Sequence, residues 1–189
     1  MNLYRLHTDR TQLLYDDIEI TRTDFDTTNE IIKLARMFGK RIRGGEDLLL
    51  QYPSLLLSYV ENAMGGKRWK RAEDVILNNK EENYRAYIVG YAAHIIKGRW
   101  KAGEEVIKNN ARAAAWYAKE VIGGRWKEAE DVIKQDGRAA GVYAMNVLNE
   151  RWPAAEEAIQ NGNQDTNIWE RYRRKFQEEI ETEWLDSKR

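Results

Sequence analysis

The groups best placed to do chemistry in this chain recur as a set. An Arg-Trp pair with a Glu four residues beyond the Trp occurs four times: Arg68-Trp69 with Glu73, Arg99-Trp100 with Glu104, Arg125-Trp126 with Glu130, and Arg151-Trp152 with Glu156. Each set offers an indole face for stacking, a guanidinium fork that matches carboxylate or phosphate, and a carboxylate acceptor. Used as a ladder, the sets would hold a ligand. Used as a joint, the Trp would fill the wedge between helices and the Arg would pair with a Glu of its own or an adjacent unit. A residue employed the same way in every copy is what stacked repeats require, so the joint is the preferred reading. Glu104 and Glu130 lie on the flank of an apolar stripe, where a partly covered carboxylate needs a partner.

Other reactive groups are sparse. Arg99, Arg112, Arg125, Arg138 and Arg151 are spaced by 13 residues, half a repeat. They could track a phosphate backbone, but Glu104, Glu105, Glu130, Asp131, Glu156 and Glu157 nearly cancel them. Nucleic-acid binding by these arginines is therefore the second reading, not the first. The two histidines, His7 and His94, sit in no recognisable constellation of partners; His94 reads as a helix-surface residue. The glycine pairs Gly44-Gly45, Gly65-Gly66 and Gly123-Gly124 lack the spacing of a phosphate loop and read as helix-ending turns. The run Asp24 to Asn29 lacks the central Gly and the distal Glu of a calcium loop and reads as the start of a helix. No cofactor, metal or catalytic residue is expected, and the chain does not read as an enzyme.

Composition narrows the partners. The 189 residues carry 31 basic and 31 acidic side chains, so there is no global field to draw in DNA, RNA or an anionic membrane. Cysteine is absent, which removes disulfides and thiolate chemistry and suits a reducing compartment. No apolar run reaches the 18 residues of a membrane span, and the first residues lack the apolar stretch of a signal peptide. A soluble, cytoplasmic protein is expected.

The elements that must position these groups follow from the repeat itself. Trp100, Trp126 and Trp152 are 26 residues apart, and the stretches from Tyr91, Tyr117 and Tyr143 to these Trp residues align without gaps. Trp69 to Trp100 is 31 residues, which places an insertion near residues 81–85. An eroded copy precedes them, with Lys40-Arg41-Ile42 aligned on Lys67-Arg68-Trp69, so that Ile42 stands in the Trp position. Each unit reads as two short helices. In the first, Ala114, Tyr117, Ala118, Val121 and Ile122 share a face. Asn110 and Asp136 stand at N-cap positions, and Gly98 and Gly124 at the stops. In the second, Trp126, Ala129, Val132 and Ile133 face inward, and Pro153 fits a first helical position.

The opposite face of the first helices varies from unit to unit. It carries Ala86, Gly90, Ala93 and Lys97, then Arg112, Trp116 and Lys119, then Arg138, Val142 and Met145. A row mixing Trp, Met, Val and Arg is richer in interface-type residues than a solvated surface. It is either a partner-binding stripe or a layer packed on a neighbouring helix.

The unit from Tyr117 to Ile133, with the pattern Tyr-Ala, Val-Ile, Gly-Arg-Trp, Ala-Glu and Ile, resembles short helical repeats of uncharacterised proteins from tailed bacteriophages and some large viruses. The likeness covers roughly residues 55–160, with departures at Gly103, Ala158 and Ile42. It implies an α-solenoid and a viral accessory protein whose partner is a host protein, such as a component of a defence system; it implies no catalytic residue.

The expected fold is therefore all-α: an α-solenoid of about five short helix pairs, with an N-terminal arm over 1–29, a repeat array over 30–162 and a long C-terminal capping helix over 163–189. Trp169, Tyr172, Phe176, Ile180 and Trp184 mark the inner face of that last helix. The expected activity is binding of another protein; the same reading admits a homo-oligomer.

Overall fold

A helix of about ten residues is marginal in water, so the short helices of this chain need neighbours to hold them. In the computed structural model, which describes residues 4–6, 18–20, 25–42, 45–162, 167–177 and 179–181, nearly every described residue belongs to a helix or a tight turn. Two three-residue strands, β1 (Tyr4–Leu6) and β2 (Ile18–Ile20), pair antiparallel with Tyr4 opposite Ile20. The helices are α1 (Phe25–Phe38), α2 (Glu46–Leu49), α3 (Pro53–Ala63), α4 (Lys70–Asn78), α5 (Tyr84–Tyr91), α6 (Lys101–Ile107), α7 (Ala111–Tyr117), α8 (Lys127–Ile133), α9 (Gly137–Tyr143), α10 (Glu156–Asn161) and α11 (Ile168–Lys175). Contacts group the chain into two units, Met1–Lys97 and Gly98–Arg189. In the first, α3 packs against α1, α4 and α5; in the second, α9 packs against α7, α8, α10 and α11.

Both units contain the same joint, and it is built by a tyrosine. The hydroxyl of a buried Tyr accepts the backbone N–H of the residue at the Trp position and donates to the motif Glu. Tyr59 takes the N–H of Ile42 at 2.7 Å and donates to Glu46 at 3.0 Å. Tyr91 serves Trp69 and Glu73 at 2.8 and 3.3 Å. In the second unit Tyr117 serves Trp100 and Glu104, Tyr143 serves Trp126 and Glu130, and Tyr172 serves Trp152 and Glu156, all between 2.6 and 3.1 Å. Each Glu is clasped by both prongs of the Arg five residues earlier: Arg41, Arg68, Arg99, Arg125 and Arg151. Each Arg therefore holds the Glu of its own unit, Arg125 also reaching Glu150 of the next unit at 3.5 Å, and the following helix contributes a hydroxyl.

The physical reason for the set is now visible. In the four Trp units the Trp is the N-cap of the helix or 3-10 turn that follows, in extended backbone at Trp69 and Trp100, whereas in the eroded copy Gly45 caps α2. No side chain caps these helices, so the N-cap's own N–H needs a partner from elsewhere. The tyrosine supplies it. An unpaired buried N–H would cost on the order of 1–3 kcal/mol. Glu46 and Glu73 are buried carboxylates, and a bidentate Arg with a hydroxyl satisfies them. The rings close the wedge: Tyr59, Tyr117 and Tyr143 lie 5.6, 5.3 and 5.4 Å from Trp69, Trp126 and Trp152. Thus one tyrosine packs against the Trp of its own repeat while its hydroxyl holds the Trp one repeat earlier. Trp69, Trp100, Trp126 and Trp152 are all buried, as is Ile42 in the eroded copy.

Several local expectations hold. Asn110 and Asp136 accept from the N–H groups of Ala113 and Ala139, and Pro153 opens a short 3-10 turn, Pro153–Ala155, that leads into α10. Others are corrected. The first helices do not stop at Gly98 and Gly124. Helices α5, α7 and α9 run on into five-residue π turns, Ala92–Ile96, Ala118–Ile122 and Ala144–Leu148. The chain then reverses at a left-handed residue one position earlier than expected: Lys97 (φ 57°), Gly123 (φ 67°) and Asn149 (φ 54°). The first described helix begins at Phe25, inside the expected arm, so Thr27, Thr28 and Asn29 lie within it. The expected long capping helix is an eight-residue helix, α11, that breaks at Phe176 (φ −114°, ψ 25°) before a further short helical stretch. Trp184 and His7 lie outside the described residues.

Candidate functional site

The joints leave the outward face of the first helices as the surface that differs between repeats. Register fixes which residues share it. Tyr117, Tyr143 and Tyr172 occupy one position in three joints, so Trp116, Val142 and Arg171 are equivalent, and so are Lys119, Met145 and Arg174. Trp116 is 42% exposed, one of three large apolar side chains open to solvent among the described residues. Arg112 and Lys119 flank it one turn either side, both exposed.

The charges around Trp116 are partly held. Arg112 Nε lies 3.0 Å from Asp136, the N-cap of α9, and so ties α7 to its neighbour. Lys119 pairs with Glu120 at 2.6 Å. Arg138 is exposed. Such surface pairs are worth little, so they orient these side chains without removing them from use by a partner.

Met145 does not belong to the stripe. It is 6% exposed, although its equivalent Lys119 is open. Helix α11 covers this end of α9: Lys175 Nζ donates to the Met145 carbonyl and to Asn149 Oδ1. A flexible thioether fills the gap under that cover. Val142 is half-buried. The stripe is thus Arg112, Trp116, Lys119 and Arg138, with Val142 at its margin.

The joint residues are structural in their geometry, and their electrostatics say the same. The Arg99 and Arg151 forks hold the carboxyls of Glu104 and Glu156 below the usual range. Burial pushes the hydroxyls of Tyr91, Tyr117 and Tyr143 up to about 12, and raises those of Tyr59 and Tyr172 as well. The tyrosines were missed as joint residues by sequence reasoning, though Tyr91, Tyr117 and Tyr143 head the aligned units.

Two further depressions lie away from the stripe. An open groove on the second-helix side is lined by Lys101, Glu105, Lys108, Glu128 and the edge of Trp126. A hollow beside Gly65 and Gly66 has His94 Nδ1 3.9 Å from Glu61, with Lys97 at its edge; it brings together no hydroxyl or second acid. No group of three or more metal-ligating side chains occurs among the described residues, and none of the described helices is long and apolar enough to cross a membrane. No family model, curated protein or solved structure matches the chain.

Proposed function

We propose that this chain is a non-enzymatic α-solenoid that binds a partner protein through the outward face of its first helices, with Trp116 as anchor. The observation that carries the reading is the exposure of Trp116 between Arg112 and Lys119 on a helix whose other aromatic side chain, Tyr117, is buried. Tryptophan and arginine dominate the energetics of protein interfaces. Five chemically equivalent joints, each using the tyrosine of the following helix, support the solenoid. The likeness to phage repeats makes a host protein, such as a defence component, the class of partner to seek. The repeated arginines Arg99, Arg125 and Arg151 are each clasped to a carboxylate, which leaves the phosphate-ladder reading little to work with.

Affinity capture from a bacterial host lysate, followed by titration of the identified partner, tests the proposal. Trp116→Ala should weaken that partner by at least about 30-fold, the equivalent of about 2 kcal/mol, with an unchanged circular dichroism spectrum. Lys127→Ala, on the second-helix side, should change neither. A partner that binds the Trp116→Ala chain as tightly as the wild type would place the interface elsewhere.

A further inference from the structure

We infer that the outward face of α7, α9 and α11 is a basic docking strip for an extended acidic segment of a partner protein, with Trp116 receiving an apolar side chain of that segment. This rests on the protein-binding reading above and names the chemistry of the partner. The joint register supplies the argument. Because Tyr117, Tyr143 and Tyr172 are equivalent, Arg171 falls in line with Trp116, and Arg174 with Lys119. The strip therefore continues past α9 onto α11 through Arg112, Lys119, Arg138, Arg171 and Arg174, all exposed.

Charge on the two sides of this unit is unequal. Across α7, α9, α11 and the two π turns there are seven basic side chains against two acidic ones, Glu120 and Glu170. Both acids are engaged locally, Glu120 with Lys119 and Glu170 with Arg173, and Asp136, the N-cap of α9, pairs with Arg112. Arg138 and Arg171 make no ion pair among the described residues, so their charge is uncompensated. On the other side, α6, α8 and α10 carry seven acidic and two basic residues. There, Arg99, Arg125 and Arg151 from the turns and Lys108 and Lys134 return the balance to neutral. A chain with no net charge thus concentrates positive potential on one face, which steers and selects an acidic partner. The first unit lacks the arrangement: Ser58 and Gly90 stand where Trp116 stands.

A protein segment fits better than a nucleic acid. The strip offers one exposed aromatic, whereas tracking single-stranded nucleic acid calls for successive stacking platforms.

The test uses the full chain and three fluorescent probes in about 150 mM salt, where interactions beyond roughly 8 Å are screened. These are a Glu/Asp-rich peptide of twelve residues with one central Leu, its Gln/Asn analogue, and a mixed-sequence DNA strand of twelve nucleotides. The acidic peptide should bind at least tenfold tighter than its neutral analogue. Arg138→Glu with Arg171→Glu, both at exposed positions, should abolish that preference, and Trp116→Ala should weaken the acidic peptide at least fivefold; thermal melts matching wild type confirm folding. Equal binding of the two peptides would overturn the acidic-segment inference. The Trp116-dependent capture above would still judge the protein-binding reading by itself. Tighter binding of the DNA strand, lost in the same double variant, would overturn both.

Discussion

The joint tyrosine is the sharpest point at which to perturb this fold, and Tyr143→Phe is the cleanest change. Tyr143 is fully buried. Its hydroxyl accepts the Trp126 N–H at 2.7 Å and donates to Glu130 at 3.1 Å. The substitution removes one oxygen and leaves the ring, including its contact with Trp152 at 5.4 Å, so the packing term is small. What remains is the orphaned Trp126 N–H, at about 1–3 kcal/mol. Glu130 loses one bond but keeps both prongs of Arg125 and has a partly exposed side chain that water can reach, which adds less than about 1 kcal/mol. The expected loss is about 2–3 kcal/mol, or a fall in Tm of roughly 5–10 °C for a chain of this size. Urea unfolding monitored by circular dichroism reads it as a lower midpoint with unchanged slope. Tyr87→Phe, at a half-buried tyrosine outside the joints, should stay within about 0.5 kcal/mol of wild type. Should Tyr143→Phe do the same, water must replace the hydroxyl and the joint is not held by it.

Three further outcomes follow from the same geometry. Trp126→Ala should destabilise the fold by about 3–5 kcal/mol; a melt like that of wild type would move the Trp from the joint to a ligand site. Stability should decline as pH rises from about 10 to 12, because the buried Tyr91, Tyr117 and Tyr143 stay protonated up to about 12 while the unfolded chain ionises near 10. Below that range their contribution is fully present. Each such tyrosine steepens the fall by up to about 1.4 kcal/mol per pH unit, so a midpoint in urea independent of pH over that window would contradict their burial. Lys97→Gly should raise stability by up to about 1 kcal/mol, because Lys97 holds a left-handed backbone that disfavours a β-carbon. Gly123→Ala should lower it comparably at the same position of the next repeat; differential scanning calorimetry distinguishes the signs.

The sequence made the indole, guanidinium and carboxylate of the joint legible because they lie five residues apart in one continuous segment. The hydroxyl was hidden because its partner lies on another helix, 17, 22 or 20 residues on, depending on the connection. A motif whose spacing varies with loop length does not show as a motif. The helix stops fall one residue before Gly98 and Gly124, because the left-handed position is held by Lys97 in one repeat and by Asn149 in another, types that mark a stop less plainly in sequence than Gly. Met145 reads as a member of the outward row because it shares a helix face with Arg138 and Val142. Pattern along one helix cannot reveal that α11 lies over this end of α9 and not over α7. For Trp116 the pattern admits both an outward stripe and a packed layer, and only the placement of α7 shows the indole exposed.

The separation between a joint's two halves also sets an order of events on the ribosome. The Arg and Glu of a unit leave the exit tunnel together, but the amide they flank waits for a tyrosine 17 to 22 residues downstream. At about 5–20 residues per second, that wait is roughly 1–4 s. During synthesis the newest unit therefore has its Arg–Glu clasp before its tyrosine, and each arriving helix completes the joint of the one before it. The nascent chain is fastened from its first residue towards its last, like a seam sewn one stitch behind the needle.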